Sequence, residues 1–489
     1  MTDSPLAPSW LRCPEDANDL VSSVWSHAAT RSADGVIQVA GVSSLELAPR
    51  FGTPLFVLDE ADARSRAAEA RASFDREFAR IGGAAEVYYA GKAFLSTEVA
   101  RWMIEAGLNI DVCSGGELAV ALAAGVDPER LGFHGNNKSL AEIDRAVSVG
   151  VGVIVLDSRI EIDRVAAAAA RHGRRQKVRL RVNSGVHAHT HEYLATARED
   201  QKFGIALPDV PACVAAIREQ PALEFLGLHS HIGSQIFGSE GFQAAAARLL
   251  ELHASLLAGG PGPELNLGGG FGIAYTSVDQ ALSLAESARN LADIVAGEVR
   301  RLGIPMPLIA VEPGRSIIGP STMTLYEAGT IKDVEVSVDA TNGDGPRGTA
   351  NRKYVSVDGG MSDNVRPALY AADYTVRIAG RRSGAEAALV RVAGKHCESG
   401  DIVVHDDYLP SDVAPGDLLA VPATGAYCWS LASNYNYLGR PPVVAVRDGQ
   451  ARVLVRGETE QDLLSRDTGI AELNATAVPP QPHPENGER

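Results

Sequence analysis

Between residues 86 and 312 the chain repeats one pattern eight times: a short apolar run rich in β-branched and aromatic residues, then an Ala-rich segment with charges at helical spacing. The runs are EVYYA (86–90), NIDV (109–112), LGFH (131–134), VIVL (153–156), KVRLRV (177–182), LEFLGLHS (223–230), ELNL (264–267) and PLIAVE (307–312). The first five begin 22 to 24 residues apart, room for one strand, one helix and two tight turns, and the last three intervals allow longer loops. Eight consecutive βα units predict an α/β fold closed into a (β/α)8 TIM barrel. An open doubly wound sheet is the rival, but it usually has fewer strands, and closure removes the edges it would expose.

After residue 320 the texture changes. MTLYEAGTIKDVEVSV, RKYVSVDG, DYTVRIAG, ALVRVAG, DLLAVPATG, PPVVAVRDG and ARVLVRG alternate apolar and polar residues between turn signals, which predicts a C-terminal antiparallel β domain. The expected plan is an N-terminal extension (1–35), a strand segment joining the β domain (36–62), the barrel (63–319), the β domain (320–470) and a disordered tail (471–489). The extension is polar and Pro-containing and the tail is Pro-rich, so both are expected to be mobile; DATNGDGPRGTA (339–350) is expected to be an exposed loop.

Composition narrows the function. A net charge of -16 with no long basic run offers no footprint for a phosphate backbone or an anionic bilayer, so neither nucleic acid nor membrane is an expected partner. No apolar stretch approaches a membrane span and the N-terminus lacks a basic, apolar leader, which places the expected location in the cytoplasm. Cys13, Cys113, Cys213, Cys397 and Cys428 are scattered without metal spacing, so they read as reduced thiols, and no metal site is expected.

In a barrel of this kind the C-terminal strand ends face one mouth, and here all eight carry polar or glycine-rich residues. In strand order these are Lys92; Asp111 and Ser114; His134, Asn136 and Asn137; Asp157; Arg181 and Asn183; His229, His231 and Ser234; Gly268, Gly269 and Gly270; then Glu312 and Arg315. One polar strand end is ordinary, whereas eight converging ends indicate a single large site. LGGGFG alone could be a flexible turn; beside Ser234 and Arg315 it suits a phosphate monoester, which wants backbone amides, a hydroxyl and a cation. Lys92 directly follows an apolar strand, where partial burial is expected to lower its pKa and favour the nucleophilic amine. Cys397 in KHCESGD has an unusually polar setting for a thiol.

The ordered set YYAGKA, DVCSGGEL, HGNNKS, GLHSHIGSQ, LNLGGGFG, EPGR, DGGMSDNVRPALY, CESGD and GAYCWSLASNYN closely resembles the diaminopimelate decarboxylase family, PLP-dependent decarboxylases with the alanine racemase-like barrel of fold type III. The resemblance runs from about residue 50 to 465. It implies pyridoxal 5'-phosphate as cofactor and a homodimer with shared active sites, the CESGD loop reaching into the partner's site. Lys92 resembles the lysine that holds the cofactor covalently and His231 the imidazole stacked on its ring. Asp111 falls among the cofactor-binding positions; Ser234, Gly270, Glu312, Pro313, Gly314 and Arg315, with Tyr427, resemble the rest of the cradle. Glu312 matches the carboxylate that pairs with the pyridine nitrogen and keeps it protonated.

Cys397 matches the family's proton donor, with Lys92 the competing candidate, and Arg315, Arg366, Tyr370, Glu398 and Tyr427 match the substrate-binding residues. The implied reaction is decarboxylation of meso-2,6-diaminopimelate to L-lysine and carbon dioxide, the last step of lysine biosynthesis. The alternatives are an ornithine, arginine or lysine decarboxylase of the same fold, a racemase, a non-catalytic PLP-binding homologue, and a phosphate-binding barrel without cofactor. Gly91 departs from the family, which more often has another residue there.

Overall fold

Eight parallel strands close on themselves between residues 85 and 311 of the computed structural model: β1 (Ala85–Ala90), β2 (Asn109–Val112), β3 (Leu131–Phe133), β4 (Val153–Leu156), β5 (Gln176–Asn183), β6 (Leu223–His229), β7 (Glu264–Asn266) and β8 (Leu308–Val311). The ring is complete because β8 pairs with β1 at Ile309–Ala85 and β4 with β5 at Ile154–Val178. The structure describes residues 4–185, 202–231, 233–238, 240–338 and 348–469. A helix follows every strand, the last only the four residues Arg315–Ile318; the preceding long helix Glu60–Arg80 packs on Leu284–Leu302, with Arg80 2.7 Å from Asp293. Several helices start on a serine whose hydroxyl accepts a backbone N–H, and Ser139–Glu142 and Ser283–Glu286 form full capping boxes.

Strand periodicity of two decides what faces the lumen. One layer is apolar apart from a phenol, with Tyr88, Val153, Leu226 and Ala310 packed together. Arg179 reaches into it, buried, donating to Glu264 Oε2 (2.7 Å) and Tyr88 Oη (3.3 Å). Two residues further along β2, β3, β5, β7 and β8 come Asp111, His134, Arg181, Asn266 and Glu312 toward the mouth, so the same alternation that seals the lumen builds the site.

The C-terminal sheet runs in the order 402–410, 387–393, 348–357, 322–338, 55–59, 443–447, 450–455. It is antiparallel except for two parallel pairings, Gly348–Val357 with Ala387–Ala393 and Leu55–Asp59 with Val443–Arg447. Leu55–Asp59 thus enters the sheet before the chain passes to the barrel.

The expectation of a mobile N-terminal extension is corrected for residues 4–35. Val24 and Trp25 are buried, Leu11 packs with Leu389 and Tyr408, and Ala29–Arg31 pairs with Ile37–Val39. The segment needs no core of its own because it uses the β domain's surface. Arg377 Nε donates to Asp19 O of the segment (2.8 Å), and the segment's Arg31 donates to Ile378 O of the β domain (3.0 Å), so backbone groups on both sides are satisfied. Of the loop expected at 339–350, residues 348–350 open a strand; residues 339–347 and the expected tail 471–489 lie outside the described residues. Among the described residues no helix is long and apolar enough to cross a membrane.

Candidate active site

At the mouth of the barrel, β8 delivers Glu312 into a ring of inward-facing groups. Its Oε1 accepts from Asn266 Nδ2 (2.7 Å) and lies 3.1 Å from His229 Nε2 and 3.6 Å from His134 Nε2. His134 Nε2 is also 3.0 Å from Asp111 Oδ1. Burial removes water from all four and pushes both imidazoles down to about 4, although Glu312 pulls the other way. Burial acts against the Glu312 charge too, but His229 and His134 outweigh it and hold its pKa well below the ordinary value. Asp111 moves oppositely, raised by burial and then by the Glu312 charge. The site therefore favours the charged form of Glu312, the protonated form of Asp111 and the neutral form of both imidazoles.

Lys92 lies half-buried on a single 3-10 turn, Gly91–Ala93, directly after β1. The expected lowering of its pKa is corrected. Burial does oppose its charge, but Tyr427, Cys113 and Glu312 outweigh burial and hold the ammonium above the ordinary lysine value. Gly91 has a local cause, because a Cβ there would lie 2.7 Å from Asp111 O. His231, after β6, accepts from Gly269 N at Nδ1 (3.2 Å), and its pKa is driven well below normal by burial and then by the Lys92 charge.

The glycine loop after β7 lies against its neighbours without room for side chains. A Cβ on Gly269 would stand 2.1 Å from Glu312 O, and one on Gly270, whose φ is +108°, 2.5 Å from Gly233 O. Pro313 O accepts from Ala90 N (3.1 Å), and Gly314 packs on Ala90 and Ala93. Arg315, buried, donates to Ser234 Oγ (2.9 Å) and to Tyr275 Oη, with its guanidinium 4.6 Å from the Tyr427 ring centre. Tyr427 is itself tied to the Lys92 turn by its N–H to Ala93 O (2.9 Å).

These residues fit pyridoxal phosphate on their own terms. A buried carboxylate held by an amide and imidazoles is suited to a cationic ring N–H, and among the described residues the buried polar atoms Arg315 Nε, Ser316 Oγ and Ser230 Oγ have no hydrogen-bond partner. Bare glycine backbone, a hydroxyl and a guanidinium supply the donors a phosphate needs.

Arg366 begins the short helix Arg366–Tyr370 and is 3% exposed. It donates to Tyr374 Oη and stacks 4.5 Å from the Tyr275 ring centre, which joins it to Arg315 through a shared aromatic residue. Tyr370 is half-buried at the end of that helix, and among the described residues no hydrogen bond or ring contact ties it to the cluster.

Cys397 and Glu398 are not brought to the mouth in the same way: both are exposed, on the loop before the strand Ile402–Pro410. That loop is nevertheless fixed. Asp401 accepts from Met361 N (2.6 Å) and His396 N (2.8 Å), the His396 ring bonds Ser362 and Asn436 at 2.9 Å each, and Glu398 accepts from Tyr435 Oη.

Sequence reasoning missed Asn266 and Tyr275. Asn266 sits inside an apolar run, and its only signal was polarity at a lumen-facing position two residues after Glu264. Tyr275 follows a Gly-rich loop and carried no signal.

Comparisons agree with this geometry. A family model described as pyridoxal-dependent decarboxylase, pyridoxal binding domain, matches residues 64–319, and one for the C-terminal sheet domain of these enzymes matches residues 322–425. The chain is 52% identical over 468 residues to a diaminopimelate decarboxylase of Mycobacterium leprae, covering 94% of this chain and 95% of that one. It is 42% identical to that of Bacillus subtilis, covering 88% and 95%. A crystal structure of diaminopimelate decarboxylase from M. jannaschii in co-complex with L-lysine superposes with a TM-score of 0.79 at 28% identity, covering 90% and 98%.

Proposed function

The chain belongs to the diaminopimelate decarboxylase family of pyridoxal-dependent decarboxylases, and from that membership we propose how its own residues remove one carboxylate of meso-2,6-diaminopimelate to leave L-lysine and carbon dioxide. Pyridoxal phosphate, when bound, supplies an electron sink for the pair left behind as the carboxylate departs. Lys92 would hold it covalently, and Glu312 would hold its ring nitrogen protonated. The observation that carries this reading is the Glu312 environment, a buried carboxylate at the barrel mouth held in its charged form by Asn266, His229 and His134. Ser234, the Gly270 and Gly314 backbone, Arg315 and Tyr427 would bind the phosphate, with Asp111 and His231 framing the ring.

The substrate's far end carries both an amine and a carboxylate, so its receptor needs cations as well as an anion. Arg315 and Arg366 supply the cations, Glu398 the anion, and Tyr370 and Tyr427 complete the set. Cys397 protonates the α-carbon. Because Cys397 and Glu398 are exposed and Leu369, Leu431 and Tyr437 nearby in sequence to Arg366 and Tyr427 are exposed apolar groups, we assign them to a homodimer interface, across which the loop enters the partner's site. The site of action is the cytoplasm.

The test is carbon dioxide release by the holoenzyme on meso-diaminopimelate, lysine, ornithine and arginine. Release from diaminopimelate alone is the expected result; preference for ornithine or arginine would overturn the substrate assignment.

A further inference from the structure

We propose that Tyr275 is a specificity-determining residue: it spaces the two guanidiniums of Arg315 and Arg366 so that together they receive a far end bearing a carboxylate. This rests on the reading of Arg366 as the receptor of that carboxylate.

Tyr275 is 5% exposed and uses both of its chemical handles on arginines. Its hydroxyl accepts from Arg315, and its ring face carries Arg366 with the guanidinium carbon 4.5 Å from the centre. Two buried cations so placed would repel; a ring between them gives one a hydrogen-bond acceptor and the other a negative π face. The position of the ring is itself set from both sides. Its backbone N–H donates to Asp279 Oδ2 (2.9 Å), which also takes Thr276 N (2.8 Å), and its edge meets the Tyr374 ring at 5.1 Å and 76°. Tyr374 in turn accepts from Arg366, so the second guanidinium is held by one tyrosine at its face and another at its edge.

The consequence is selective. A substrate whose far end is only an ammonium brings a third cation to this pair and is disfavoured. One with a carboxylate there relieves the repulsion between them. Without the ring, Arg366 keeps its charge but loses its fixed place, and affinity for the carboxylate-bearing end falls, while in the cofactor cradle Arg315 is still held by Ser234 Oγ and the Tyr427 ring beside the glycine backbone.

The experiment compares Tyr275→Leu, Tyr275→Phe and Arg366→Ala holoenzymes for kcat and KM on meso-diaminopimelate and for cofactor affinity by absorbance titration. Tyr275→Leu is expected to raise KM about tenfold, with kcat falling less than about threefold and cofactor affinity within about twofold of the parent. Tyr275→Phe, which keeps the face for Arg366, is expected to recover most of that KM. If Tyr275→Leu does not fold, Tyr275→Met, whose flexible side chain fills a similar space, carries the same expectation. A KM within about twofold of the parent in the Leu or Met variant overturns the proposal, as does a parallel loss of kcat, KM and cofactor affinity in both the Leu and Phe variants. An unchanged KM in Arg366→Ala overturns the underlying reading of the receptor instead.

Discussion

His229 Nε2 stands 3.1 Å from Glu312 Oε1, so the buried carboxylate at the end of β8 is held by an imidazole that is uncharged at neutral pH. The neutral ring orients the anion and keeps its field available.

Glu312→Gln preserves the side chain's shape and its contact with Asn266 while removing the charge. We expect kcat for carbon dioxide release to drop about a hundredfold or more, with cofactor still bound, since the lost field acts where charge develops. Steady-state kinetics on the reconstituted variant decides it, and a kcat within a few-fold of the parent would mean that the carboxylate is only structural.

The depressed histidines make stability fall in acid. His134 and His229 have folded pKa values of about 4, below the 6.5 of an exposed histidine, so between these values the unfolded chain binds the extra protons. Their contribution is complete above pH 6.5 and is lost as pH falls toward 4, with a slope of about 1.4 kcal/mol per pH unit for each. Denaturant titrations across that window should show a shallower slope in His134→Asn than in the parent; identical slopes would place the titration elsewhere.

If the CESGD loop enters the partner's site, as proposed, two inactive variants complement each other. Mixing inactive Lys92→Ala and Cys397→Ala chains and allowing exchange should restore up to about one quarter of parental activity, because half the dimers are mixed and each mixed dimer has one intact site of two. No recovery after exchange, shown to have occurred by native mass spectrometry, would mean that Lys92 and Cys397 act within one chain.

Trp25 anchors the N-terminal segment on the β domain at 2% exposure. Trp25→Ala should cost about 3 kcal/mol or more of stability in urea titration. A cost below about 0.5 kcal/mol would return the segment to the status of a mobile appendage.

What the sequence made legible follows from physical range. The barrel was readable because its strand and helix periods are local, and the site because barrel topology gathers strand ends whatever the loops do. Arg179 and Arg181 lie two residues apart on β5, so parity alone gives them the same face. The raised pKa of Lys92 was not readable, since the tyrosine that raises it comes from the C-terminal domain and approaches through the Ala93–Tyr427 hydrogen bond. The ordering of residues 4–35 was missed because their composition describes what they can bury alone, whereas Trp25 is buried and Arg31 donates to Arg381 O, 350 positions away. Tyr275 was hidden because its meaning is a relation between two arginines from separate segments.

The most direct measurement is borohydride reduction of the holoenzyme followed by peptide mass mapping, which locks the cofactor onto whichever amine holds it. Expected are loss of the visible absorbance and a single labelled peptide containing YYAGKAF, modified at Lys92 and absent in Lys92→Ala. A label on Lys138 or any other lysine, or no label in a protein that still releases carbon dioxide, would contradict that assignment.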